Sequence, residues 1–166
     1  FIFTGLLFTG CKDALDVTFE ADYTTDLPIV VTPSTLKATN GVFASSTIID
    51  PMSNGNMSTY ANNIQSVRIV EATATILSVS SEAVMSADLD VTSGTLPAAS
   101  WVFTDEPILE GAVIELSNEN GQLDRLSDII SAKNVFTVDV VGQSDQDDIT
   151  FTISVTIRAF VTANPL

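Results

Sequence analysis

Residues 149–161 alternate strictly enough to leave a chain like this few folds. Ile149, Phe151, Ile153, Val155, Ile157, Ala159 and Val161 fall on one parity, with Thr150, Thr152, Ser154, Thr156 and Arg158 between them. Successive side chains of a β-strand point to opposite faces, so this period-two pattern predicts a long strand buried on one side only. Phe160 is the one misfit, on the polar parity near the strand's end. A half-buried strand requires a sheet, and the apolar face of that sheet requires a second layer to cover it.

Further stretches supply the other strands. Val135–Val141 predicts a hairpin partner, joined to the long strand by the polar residues 142–148, which carry turn chemistry. Val17–Ala21 alternates cleanly, and Pro28–Pro33 reads as a short strand bracketed by prolines. Val67–Val79 is β-rich, but its apolar parity switches between Ile69 and Val70, which predicts a bulge or burial on both faces. Between Val84 and Val91 the pattern puts Ala87, Leu89 and Val91 inward and Ser86, Asp88 and Asp90 outward. Trp101–Phe103 and Ala112–Leu116 complete the strands.

Two stretches follow helical spacing instead: Met57, Tyr60, Ala61 and Ile64, with Asn54 or Asn56 as cap, and Leu123, Leu126, Ile129 and Ile130, ending at Lys133-Asn134. The expected fold class is all-β: over residues 17–166, a single antiparallel β-sandwich, immunoglobulin-like or related, with two short helices and about seven to nine strands.

Composition narrows the chemistry. The 166 residues suit one domain and contain no His, one Cys, 6 Lys+Arg and 21 Asp+Glu. Without histidine there is no Ser-His-Asp or Cys-His catalysis and no imidazole metal ligand. One cysteine excludes an internal disulfide and a zinc cluster. A formal charge of −15 opposes a sequence-independent grip on nucleic acid or anionic lipid. No Gly-x-Ser-x-Gly elbow, phosphate loop or Ser-x-x-Lys motif occurs.

That single cysteine divides the chain. The first ten residues are uncharged and mostly apolar, and every charged residue follows Cys11. Ten helical residues rise only about 15 Å, too short for a bilayer core of about 30 Å. Residues 1–10 therefore read as the end of a signal-peptide apolar region whose basic start precedes Phe1. The junction Leu7-Phe8-Thr9-Gly10-Cys11 resembles the lipobox of bacterial lipoproteins, with Phe8 where that pattern usually holds an aliphatic residue. The resemblance implies cleavage after Gly10, lipidation of Cys11 and a tether over residues 11–16. More than one acyl chain would make such an anchor stable. Lys12-Asp13 and Asp16 resemble the short charged tract that accompanies surface export in Bacteroidota lipoproteins, although Ala14 and Leu15 interrupt it. The implied location is the outer membrane, on the cell surface or the periplasmic face.

Candidate ligand sites are sparse. Asp145, Asp147 and Asp148 offer hard oxygen ligands for Ca²⁺ in one loop, and Asp50, Asn54 and Asn56 offer them around Gly55 in another. Neither loop has the EF-hand pattern; the bland alternatives are a solvated turn and an Asx-turn leading to a helix cap. Trp101 and Tyr60 are aromatic candidates for stacking on a ligand, and each also suits a core edge with its polar tip outward. The expected function is a non-catalytic, lipid-anchored domain that binds an envelope protein or glycan. The alternatives are a carboxylate-dependent envelope glycan hydrolase and an assembly or adhesion subunit.

Overall fold

Eight strands and two short helices organise residues 16–33 and 41–164, the part of the chain that the computed structural model describes. The strands are β1 (Val17–Val30), β2 (Val42–Ile49), β3 (Ile64–Val79), β4 (Ala83–Thr92), β5 (Ala99–Ile108), β6 (Val113–Glu115), β7 (Phe136–Ser144) and β8 (Thr150–Ala163). Helix α1 spans Gly55–Thr59, directly after a 3-10 turn at Pro51–Ser53, and α2 spans Gln122–Ser131.

These strands form the expected antiparallel sandwich, with four-stranded sheets ordered β1-β8-β3-β6 and β2-β7-β4-β5. The pairings follow a simple rule: β1 meets β8, β2 meets β7, β3 meets β6 and β4 meets β5. The chain is thus one long antiparallel double strand, rolled so that β8 also pairs with β3 and β7 with β4. Within the sandwich class this is a jelly roll, whose strand order differs from that of an immunoglobulin domain.

Strand β8 lies inside its sheet, and its alternation sets the core. All seven apolar residues from Ile149 to Val161 are buried, facing Phe136, Val138 and Val140 of the opposite sheet within the same apolar cluster. Phe160 points to the outer face, where the Arg68 guanidinium lies 5.5 Å from its ring centre. A cation over an aromatic face accounts for an apolar residue on the polar parity. The parity switch in β3 is a bulge: Ile69 pairs with Ala159 and Glu71 with Arg158, leaving Val70 as the extra residue.

Three expectations need correction. Strand β7 is not the hairpin partner of β8, because the two lie in opposite sheets and residues 145–149 cross between them. Each has its own apolar face, and these faces meet through the core instead of lying side by side. The two short stretches at 17–21 and 28–33 belong largely to one strand, β1, which runs through Pro28. The N–H of Val31 donates to Ile149, so odd backbone units face β8 and the proline nitrogen faces away from it. Ile64, expected in the first helix, opens β3 instead.

Helix α2 buries Leu126, Ile129 and Ile130, and Ser127 Oγ accepts from the Ile69 N–H of β3 at 3.2 Å. Lys133 then turns the chain in the left-handed region (φ 60°) and donates from Nζ to the Ala61 carbonyl at 2.7 Å. Among the described residues, no helix is long and apolar enough to cross a membrane.

Candidate functional site

The two sides of the sandwich are closed differently. On the β1–β2 side, Ser45 Oγ donates to the Pro28 carbonyl at 2.9 Å, and the Thr25 and Thr47 hydroxyls meet at 3.2 Å. Backbone bonds between Thr32 and Val42, at 2.8 and 3.0 Å, continue that seam. On the opposite side β5 and β6 are both edge strands, and a groove of about 490 Å³ runs between them. The indole Nε1 of Trp101 bridges its base, donating to the Ser117 carbonyl at 2.8 Å.

Trp101 is 4% exposed. Its inward parity on β5 puts the indole among core residues, while its N–H finds a partner, as a buried indole requires. The groove thus meets the buried tryptophan at its floor, with Val102 and Val113 beside it and Glu106, Glu115 and Glu119 around it. Val102 is 76% exposed and Val113 63%. Glu115 and Glu119 are exposed and Glu106 half-buried.

Tyr60 lies elsewhere. As the C-cap residue of α1 it stacks on Phe19 of β1, with ring centres 5.4 Å apart. β1 and β5 are edge strands of different sheets, so these contacts place Tyr60 and Trp101 in separate settings.

The two oxygen-rich loops are also separate. Asp50 follows Ile49, which pairs with Phe136 at the start of β7, whereas Asp145 follows Ser144 at its end. Asp50 Oδ1 accepts from the Met52 N–H at 2.8 Å, and Asn54 Oδ1 accepts from the N–H groups of Asn56 and Met57 at 3.1 and 3.2 Å. That is the Asx-turn and helix cap, with Asn56 contributing its backbone to the cap. A hollow of about 320 Å³ beside it is lined by Asp22, Tyr23, Ser53 and Asn54. In the other loop, Asp145 Oδ1 accepts from the Val84 N–H at 2.8 Å and so ties the loop to β4. Asp147 and Asp148 are exposed, and Asp148 adopts a left-handed conformation (φ 56°). Among the described residues, no three His, Cys, Asp or Glu side chains converge in a way that would hold a metal ion. Gly10 and Cys11 lie outside the described residues.

Tyr23 of β1 is buried, with its polar tip partnered. Its ring meets Phe136 edge to face at 6.4 Å, and its hydroxyl donates to the Pro51 carbonyl at 3.3 Å. Burial, and then the nearby Asp50 carboxylate, push the phenol above its ordinary value. The β5–β6 groove carried no sequence signal, because it forms between edge strands of opposite sheets, and alternation does not show which sheet a strand joins.

Jelly-roll architecture defines a class of fold and not an activity. No protein-family model and no curated protein matches the chain. Among solved structures it is similar to a chain from Desmodium yellow mottle tymovirus, at 10% identity and a TM-score of 0.38, over 100% of this chain and 92% of that one. A likeness at that level carries nothing about function.

Proposed function

We infer that the chain is a bacterial lipoprotein of the cell envelope, whose sandwich serves as a non-catalytic binding or structural domain. The observation that carries this reading is the junction Leu7-Phe8-Thr9-Gly10-Cys11, which ends an uncharged stretch six residues before β1 begins. Lipidation of Cys11 would anchor the domain to the outer membrane, at the cell surface or on the periplasmic face. The fold suits a tether at this end. β1 leads away from Val17 for 14 residues, roughly 45 Å of extended chain, so the connections after β7, β3 and β5 lie far from the anchor. Asp147, Asp148, Glu82 and Glu110 stand on those far connections. Those four acids would then stand away from anionic headgroups.

Metabolic labelling with a fatty-acid probe tests the anchor. Label is expected in cells expressing the full gene and absent from the Cys11→Ala variant. Equal labelling of both, or of neither, overturns the reading.

The groove beside Trp101 favours a second reading, because three glutamates line it. A carboxylate-dependent glycan hydrolase would use two of them as acid and base or nucleophile. Release of reducing ends from envelope glycan, lost in Glu106→Gln, would replace the binding reading with this one.

A further inference from the structure

Sheet edges attract other strands unless they are guarded, and β5 is guarded along only part of its length. Its second half has three protective devices. Ala87 pairs with Phe103 and Met85 with Glu106, so a bulge falls at Thr104-Asp105, where Asp105 is left-handed (φ 57°). Glu106 and Pro107 follow directly. A bulge, charges and a proline are the features that stop edge pairing. Its first half, Ala99–Phe103, has none of them: no charge, no proline and an unbroken register against β4. In an antiparallel pair alternate backbone units point away from the partner, so this half presents free N–H and C=O groups to the groove.

We propose that an extended segment of a partner protein, with basic side chains alternating with apolar ones, adds as a strand to the Ala99–Phe103 edge of β5 within the β5–β6 groove. Backbone hydrogen bonds would supply the attachment and alternate side chains the selectivity, as in β-strand addition generally. The apolar side chains would cover Val102 and Val113, which stand 76% and 63% exposed. The basic ones would meet Glu106, Glu115 and Glu119, and none of the described residues lining the groove is Lys or Arg. The same charges oppose a second copy of this chain, which carries −15 itself. This inference names a partner class for the binding role inferred above and rests on that reading. It is tested on the purified chain, so its failure is distinct from a failure of lipid labelling.

The probe is the synthetic peptide Lys-Val-Lys-Val-Lys-Val-Lys, titrated against the full chain in non-ionic detergent, with Glu-Val-Glu-Val-Glu-Val-Glu as its counterpart. Trp101 is the one tryptophan of the chain, so its emission reports the groove. The basic peptide is expected to shift that emission saturably, to bind more weakly as salt rises, and to slow amide exchange within Ala99–Phe103. Glu115→Lys with Glu119→Lys should weaken binding by about tenfold or more. Asp16→Lys with Glu20→Lys, the same charge change at exposed positions on or just before β1, should weaken it by less than about twofold. Val102→Lys, which guards the edge at an exposed position, should also abolish the exchange protection. The proposal is overturned if the acidic peptide binds equally well, if both charge pairs weaken binding alike, or if binding leaves the β5 amides unprotected. It is also overturned if sedimentation shows the chain pairing with itself through this edge.

Discussion

Gly142 is a tight backbone position within strand β7, and replacing it with alanine tests the packing of the β2-β7-β4-β5 sheet. The residue faces inward on β7, opposite Phe43 of β2 and Ala87 of β4. A Cβ there would stand 2.5 Å from Phe43 Cζ, 2.6 Å from the Ser86 carbonyl oxygen and 2.8 Å from Ala87 Cβ. Phe43 cannot swing aside freely, because its ring packs edge to face on Phe151 at 5.4 Å. The Ser86 oxygen is backbone, held in the β4 ladder. Overpacking of this kind costs about 1–3 kcal/mol. Gly→Ala recovers about 0.4–1 kcal/mol by restricting the unfolded chain. The net expectation for Gly142→Ala is therefore a loss of about 1–2 kcal/mol, read from the urea midpoint by Trp101 fluorescence at unchanged slope. Phe43→Leu removes one of the three clashing contacts and leaves the Ser86 oxygen in place. The double variant should consequently cost less than the sum of the two single ones, by about 0.5 kcal/mol or more. Stability of Gly142→Ala at or above that of the parent chain would refute this account of the sheet.

Three further outcomes follow from the same geometry. Ile157→Ala, at a fully buried site on β8, should cost about 2–5 kcal/mol, whereas Phe160→Ala on the outer face should cost about 1 kcal/mol or less; urea denaturation gives both. Trp101→Phe removes the donor to Ser117 and should cost about 1–3 kcal/mol, followed by thermal circular dichroism because the fluorophore is lost. Tyr23 has a raised phenol pKa in the folded state, so folding favours its protonated form and stability falls as pH rises above about 10, the unfolded value. In Tyr23→Phe that alkaline fall should be shallower, while at neutral pH the lost hydroxyl bond costs about 1 kcal/mol; urea midpoints across the alkaline range read both effects.

Where apolar residues point inward without interruption, the fold was legible in the sequence. The seven apolar residues from Ile149 to Val161, the inward set of β4 and the apolar stripe of α2 lie where their spacing puts them. The parity switch in β3 likewise marked a real bulge. Strand β2 was not legible, and the reason is chemical. Its inward positions include Ser45 and Thr47, while Ile48 is 69% exposed, so hydrophobic periodicity is inverted over much of its length. The polar Tyr23–Asp26 stretch hid the middle of β1 in the same way. Thr25 and Thr47 bond to each other across the seam, so one polar contact obscures both strands. Pairing was less visible still. A strand's alternation fixes which face it buries but not which neighbour it takes, so β7 and β8 read as a hairpin when they belong to opposite sheets. The groove beside Trp101 depends on that same long-range arrangement. The tryptophan could be named from sequence, but its Ser117 partner and the surrounding glutamates could not.

The lipid anchor is tested most directly at the mature N-terminus. Protein purified from envelope membranes after expression of the full gene can be digested and its N-terminal peptide analysed by mass spectrometry. A lipid-anchored chain yields a peptide that begins at Cys11, with diacylglyceryl on its sulfur and Lys12-Asp13 following. A mature chain that begins elsewhere, or that carries Cys11 as a free thiol, contradicts the anchor.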